Sequence, residues 1–136
     1  MVDKLSKVFA ALADPVRRDL VARLAAGDST VSQLAAPHDI TVQAWSPFQG
    51  GFFTGVFLGS PDYLELNEVI DRLAEHYDVP AMAIATAWIT RHPANMQVVL
   101  GTTTPSRVTD AAMGSDIPLT RAEWYELFRA AGYRVP

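Results

Sequence analysis

Apolar positions recur along this chain in two rhythms, and the change from one to the other falls near residue 40. Leu5, Val8, Phe9 and Leu12 follow the i, i+3, i+4, i+7 spacing of an amphipathic helix. Val16, Leu20, Val21 and Leu24 make a second stripe, opened by Asp14 as N-cap with Pro15 in the first helical position and stopped at Gly27. Thr30 and Gln33 form a capping box for a third helix, which Pro37 ends. From Ile40 to Trp45 the alternation becomes that of a strand, broken at Ser46-Pro47. Residues 48–60 are rich in glycine and phenylalanine, lack a clear period and read as a loop. Ser60-Pro61 opens a helix with Leu66, Val69, Ile70, Leu73 and Tyr77 on one face. Pro80 opens another, with Ile84, Ala85, Trp88 and Ile89 inward, closing at Arg91-His92-Pro93. A second strand, Met96–Leu100, runs into Gly101-Thr102-Thr103-Thr104-Pro105. The following helix is predicted to start with Thr104 as cap and to end at Gly114. A last helix carries the capping box Thr120/Glu123 and buries Trp124, Leu127 and Phe128.

Two strands separated by helical crossovers imply parallel pairing. Two parallel strands alone make a poor sheet, because such strands need neighbours and cover on both faces. The predicted fold is α/β and mostly helical. It divides into a three-helix segment over residues 1–37 and a strand–helix–helix–strand–helix–helix segment over 38–136.

Composition narrows the chemistry. The 136 residues include no cysteine, which excludes disulfides, thiolate metal sites and cysteine nucleophiles. No stretch reaches the roughly 18 uninterrupted apolar residues of a membrane span. Asp3, Lys4 and Lys7 break any apolar core of a secretory signal, so a cytoplasmic protein with no membrane partner is expected. Residues 1–37 carry five basic and four acidic side chains, and residues 38–136 carry six and eleven. The second segment is thus near −5 and poorly suited to nucleic acid. His38, His76 and His92 lie in different predicted elements without metal-ligand spacing, and no carboxylate pair or nucleophile motif stands out.

Two places could carry chemistry. After the second strand, Gly101-Thr102-Thr103-Thr104 and a helix opened by Pro105 and carrying Arg107 offer backbone N–H groups, hydroxyls and a guanidinium to an anion. The same residues also fit an ordinary strand-to-helix turn, with Thr104 capping and Arg107 solvated. After the first strand, Trp45 could stack on a flat ring and Ser46 could donate to a phosphate; equally, Trp45 could be core and Ser46-Pro47 a stop signal.

The stretches ITVQAWSPFQGG, IATAWITRHPANMQVVLGTTTPSRV and LTRAEWYELFRAAGYRVP together resemble the C-terminal part of the aldo-keto reductases, in order and spacing. The resemblance implies part of a (β/α)₈ TIM barrel, its strands seven and eight with their helices. It also implies NADP as cofactor, in a barrel whose phosphate sites follow those strands. Trp45 then corresponds to the aromatic that stacks on the nicotinamide, and Ser46 and Phe48 to residues along the pyrophosphate. Thr102 and Arg107 correspond to the pair that recognises the 2′-phosphate, and Asp110 stands near the adenine. Gly101 and Thr103 complete the loop between them. Gly101 stands where many relatives have lysine and Ala111 where asparagine is common, which implies weaker cofactor affinity.

The family's catalytic Asp, Tyr, Lys and His come from the first half of the barrel. Here the only lysines are Lys4 and Lys7, and Tyr63, Tyr77, Tyr125 and Tyr133 fall on predicted helices or the tail. The isolated chain is therefore expected not to catalyse hydride transfer, and to self-associate or to pair with a complementing barrel chain. LSKVFAALADPVRRDLVARLAAGDSTVSQLA resembles the start of the arsenical-repressor family of winged-helix regulators, stopping before a recognition helix. That implies a fusion with a truncated regulator, for which DNA is not an expected partner. The alternatives to a cofactor-binding oxidoreductase part are a remnant of such a regulator, or a structural fragment with no ligand.

Overall fold

The computed structural model describes residues 3–48 and 55–135, with the Leu5 side chain outside the described set. Of the predicted loop over 48–60, residues 49–54 therefore lie outside the described residues. The chain divides into two compact units, Met1–Val42 and Gln43–Pro136.

The first unit contains helices α1 (Lys4–Ala11), α2 (Pro15–Ala26) and α3 (Val31–Ala35), followed by a 3₁₀ turn, Ala36–His38. Local polar contacts define them. The Asp14 carboxylate accepts from the Arg17 N–H at 2.9 Å, and Thr30 and Gln33 close the predicted capping box. Arg18 donates to the carbonyls of Leu12 and Ala13, both at 2.8 Å, capping the end of α1. Asp19 on α2 accepts from Arg23 and lies 2.8 Å from the Nε2 of His38. Its carboxyl is held below the usual range, first by the hydrogen bond from Arg23 and then by His38. The predicted apolar stripes form but meet little. Val8 is 53% exposed and Phe9 71%, and Ala35 is the buried apolar residue of this unit among those described. Leu12, Val16, Leu20 and Leu34 are half-buried, so partial packing acts together with these local caps.

Strand β1 (Val42–Trp45) pairs in parallel with β2 (Met96–Val99). β1 starts later than its alternation predicts because Ile40 N–H is drawn back to the Ala35 carbonyl (3.2 Å), with Asp39 in the left-handed region. Between the strands come a 3₁₀ turn (Pro61–Tyr63), α4 (Leu64–Tyr77) and α5 (Ala81–Thr90). After β2 come α6 (Pro105–Ala112), a 3₁₀ turn (Met113–Asp116) and α7 (Arg121–Ala130). This mostly helical α/β arrangement matches part of a (β/α)₈ barrel.

The core lies among helices, not on the sheet. Ile70 and Leu73 of α4, Ile84 and Ala87 of α5, Leu119 just before α7 and Leu127 within it form one buried cluster. Helix α5 is buried nearly all round, as its uniformly apolar sequence requires of a central helix. Trp88 of α5 and Trp124 of α7 stack with ring centroids 4.9 Å apart and 8° between planes. Each indole N–H donates to the other's carbonyl, at 3.1 and 2.8 Å. Tyr77 at the end of α4 donates to Glu123 at 2.9 Å. Burial and that hydrogen bond raise the Tyr77 phenol. For Glu123, burial pushes the carboxyl up, but the bonds from Thr120 and Tyr77 outweigh it and hold the group low. Helix α6 ends at Ala112, two residues before Gly114, because Gly114 turns in against α5. A Cβ there would come within 2.4 Å of the Ala83 carbonyl oxygen.

Candidate functional site

The carboxyl ends of β1 and β2 open onto one cleft of about 420 Å³. Ser46, Pro47 and Phe48 form the wall that follows β1. Leu100, Gly101 and Thr102 form the wall that follows β2, and Arg107 reaches it from the first turn of α6. Val56, Leu58 and Met82 supply apolar surface between them. Parallel strands deliver their exits to the same edge, so residues 55 positions apart in sequence meet here.

Three local devices shape the cleft. Ser46 has φ +51°, a left-handed conformation that costs a non-glycine residue on the order of 1 kcal/mol and that concentrates at functional turns. Asp39, Asp78 and Asn95 share that conformation, but their side chains tolerate it better than serine does. The second device is the Phe48–Phe57 pair, edge to face at 6.5 Å, with the Phe57 N–H donating to the Phe48 carbonyl at 3.2 Å. The third is Asn67 on α4. Its amide nitrogen donates to the carbonyls of Phe57, Ser60 and Tyr63, and its oxygen accepts from Gly59 N–H. One side chain thus ties down the segment that carries Leu58 to the cleft. Sequence reasoning passed over Asn67, though an asparagine in the first turn of a helix that follows a glycine-rich loop is a recognisable loop anchor.

The polar equipment suits an anion. Arg107 is exposed and has no carboxylate partner among the described residues. The Thr102 hydroxyl accepts from Thr104 N–H at 3.2 Å and so is oriented by the loop itself. Thr104 occupies the N-cap position of α6, yet its side chain makes no capping bond, contrary to the predicted cap. The first turn of α6, with Pro105 leading, therefore keeps N–H groups that Thr104 does not cap. At Gly101 an added Cβ would meet nothing within 4 Å.

Of the eight residues singled out from sequence, Ser46, Phe48, Gly101, Thr102 and Arg107 line this one cleft. Trp45, Thr103 and Asp110 do not line it. Trp45 is 84% exposed at the end of β1, so its ring is neither core nor covered. A second, apolar cavity of about 420 Å³ shares Ser46 and Pro47 and continues between α4, α5 and α7, past Tyr63, Ile70, Trp88 and Tyr133.

The family profile described as "Aldo/keto reductase family" matches residues 15–130. The chain is similar to a 6-dehydroglucose reductase of Agrobacterium fabrum, 36% identical over 93 residues, which are 68% of this chain and 29% of that protein. It is also similar to a 6-dehydroglucose reductase of Novosphingobium aromaticivorans, 29% identical over 101 residues, 71% of this chain and 32% of that protein. The chain thus spans about a third of the length of the curated relatives it matches. The family match takes in α2 and α3, and these similarities lend no support to the winged-helix resemblance of residues 1–37.

Proposed function

The chain belongs to the aldo/keto reductase family, and on that premise we propose that it holds NADP in the cleft at the ends of β1 and β2. It would act as the cofactor-binding part of an oxidoreductase rather than as a complete catalyst. The observation that carries this reading is the convergence of Ser46, Phe48, Gly101, Thr102 and Arg107 on one cleft. The donor set fits the group: an unpaired guanidinium, a pre-oriented hydroxyl and helix N–H groups suit a phosphate, and apolar Val56, Leu58 and Met82 suit a flat base.

Each residue has a task in this reading. Arg107 and Thr102 grip the 2′-phosphate, with Thr103 beside them and Asp110 toward the adenine. Ser46 and Phe48 follow the pyrophosphate, and the uncovered Trp45 ring offers a stacking face. Bound NADPH supplies a hydride for a carbonyl carbon. The proton for the carbonyl oxygen needs a donor, and among the described residues the cleft lining holds no tyrosine, histidine or lysine. Lys4 and Lys7 are the only lysines and both lie on α1. Tyr77 is committed to Glu123 with its phenol raised. A partner chain contributing the remaining barrel strands would supply that donor, and the names of the two relatives make 6-dehydroglucose the candidate substrate of the completed barrel.

Calorimetric titration with NADP⁺ and NAD⁺ tests the reading. Arg107→Ala should weaken NADP⁺ by about 10–100-fold, the worth of hydrogen bonds to a charged group, and NAD⁺ by less than about twofold. Equal loss for both cofactors would remove the 2′-phosphate assignment. Absence of binding at millimolar concentrations would remove the site.

A further inference from the structure

A different cleft lies between the end of α5 and the start of α7. It measures about 370 Å³ and is lined by Arg91, His92, Pro93, Arg121, Trp124 and Tyr125. None of its residues belongs to the cofactor cleft or its loops.

Arg91 and His92 follow the last turn of α5, where the helix dipole favours cations, so their position alone asks for no ligand. Arg121 is different. It occupies the first helical position of α7, where the same dipole disfavours a cation. No carboxylate pairs with it among the described residues, and its guanidinium rests over the Tyr125 ring at 5.6 Å. The nearest acidic residue in its own turn, Glu123, is engaged by Thr120 and Tyr77. Neither Arg91 nor Arg121 has an ion-pair partner among the described residues, in a region whose net charge is near −5.

The remaining geometry is that of a built recess. Arg91 is fixed by its inner nitrogen, Nε, which donates to the Leu119 carbonyl at 3.1 Å and leaves the terminal nitrogens outside that bond. His92 Nδ1 accepts from Ala94 N–H at 3.1 Å, so in the neutral ring the proton sits on Nε2, which becomes a donor. Trp124 is clamped by Trp88 at 4.9 Å and Phe128 at 5.6 Å, and Tyr125 stands perpendicular to it at 5.1 Å. Rigid aromatic walls under a fork of donors suit a ligand that is flat and apolar at one end and anionic at the other.

We propose that this cleft is a second ligand site, taking a small planar aromatic anion, with the ring against Trp124 and Tyr125 and the phosphate or carboxylate between Arg91 and Arg121. The test is calorimetric titration of the full chain with 1-naphthyl phosphate, with 1-naphthol and inorganic phosphate as half-ligand controls. One-to-one saturation is expected, with each control at least about tenfold weaker, since neither supplies both halves of the recognition. Arg121→Gln, an exposed position that leaves folding intact, should weaken 1-naphthyl phosphate by about tenfold or more. Arg121→Lys should fall between the two, keeping the charge and losing the fork. Retained affinity in Arg121→Gln, or 1-naphthol binding as well as its phosphate, would overturn the proposal. So would the absence of saturation in the unmodified chain.

Discussion

Single residues carry most of what distinguishes the cleft at the strand ends, and they differ in how readily sequence betrays them. Arg107 and Thr102 were legible because a strand, a glycine and a hydroxyl-rich turn before a helix form a local pattern. Ser46 was legible as a break but not as a residue in the left-handed region, because serine gives no warning of that conformation. Asn67 was invisible as an anchor because its four partners depend on how the 57–63 segment folds back on α4. Gly101 offers the sharpest residue-level prediction. Its backbone needs no glycine and its Cβ direction is open, so Gly101→Lys introduces a cation next to the proposed phosphate position without steric cost. NADP⁺ should then bind about fivefold tighter, the worth of one partly exposed ion pair, with NAD⁺ changed less. Unchanged NADP⁺ affinity in titration calorimetry would mean that the phosphate does not lie beside this position.

Elements were read well where their signals are local. The caps Asp14, Thr30 and Thr120 and the breaks at Pro61 and Pro80 sit where sequence puts them. Two differences are local, the uncapped Thr104 and the late start of β1, and the third is decided by a tertiary contact. Helix α6 stops short because the chain must bring Gly114 against α5, and no helix pattern encodes that approach. Gly114→Ala sets a Cβ within 3 Å of three α5 atoms, two of them backbone, so neither side can yield easily. The substitution should destabilise by about 1–3 kcal/mol and lower Tm by roughly 5–15 °C in a thermal melt. An unshifted melt would show that α5 and the 113–116 turn pack less closely than described. The strands gave the opposite lesson. Their alternation was clear, yet alternation cannot say whether the buried face has anything to face.

Across the whole chain, burial is unevenly shared. The second unit has a connected core of Ile70, Leu73, Ile84, Ala87, Leu119 and Leu127, while Val8, Phe9, Val21 and Leu24 in the first unit are more than half exposed. Among the described residues, the two-stranded parallel sheet also leaves an unpaired edge on each side. Edges and apolar surface of this kind favour association, so we expect sedimentation velocity to show a weight-average mass that rises with concentration. A constant monomer mass over a hundredfold range would argue that the exposed surface is inert. The confinement of Lys4 and Lys7 to α1 has a practical corollary on the same scale. Side-chain amine chemistry can attach to this protein only through its first helix, so a succinimidyl ester or an aldehyde-activated surface would tether every molecule by the same end. Residues 12–136, with both clefts, would carry no such modification.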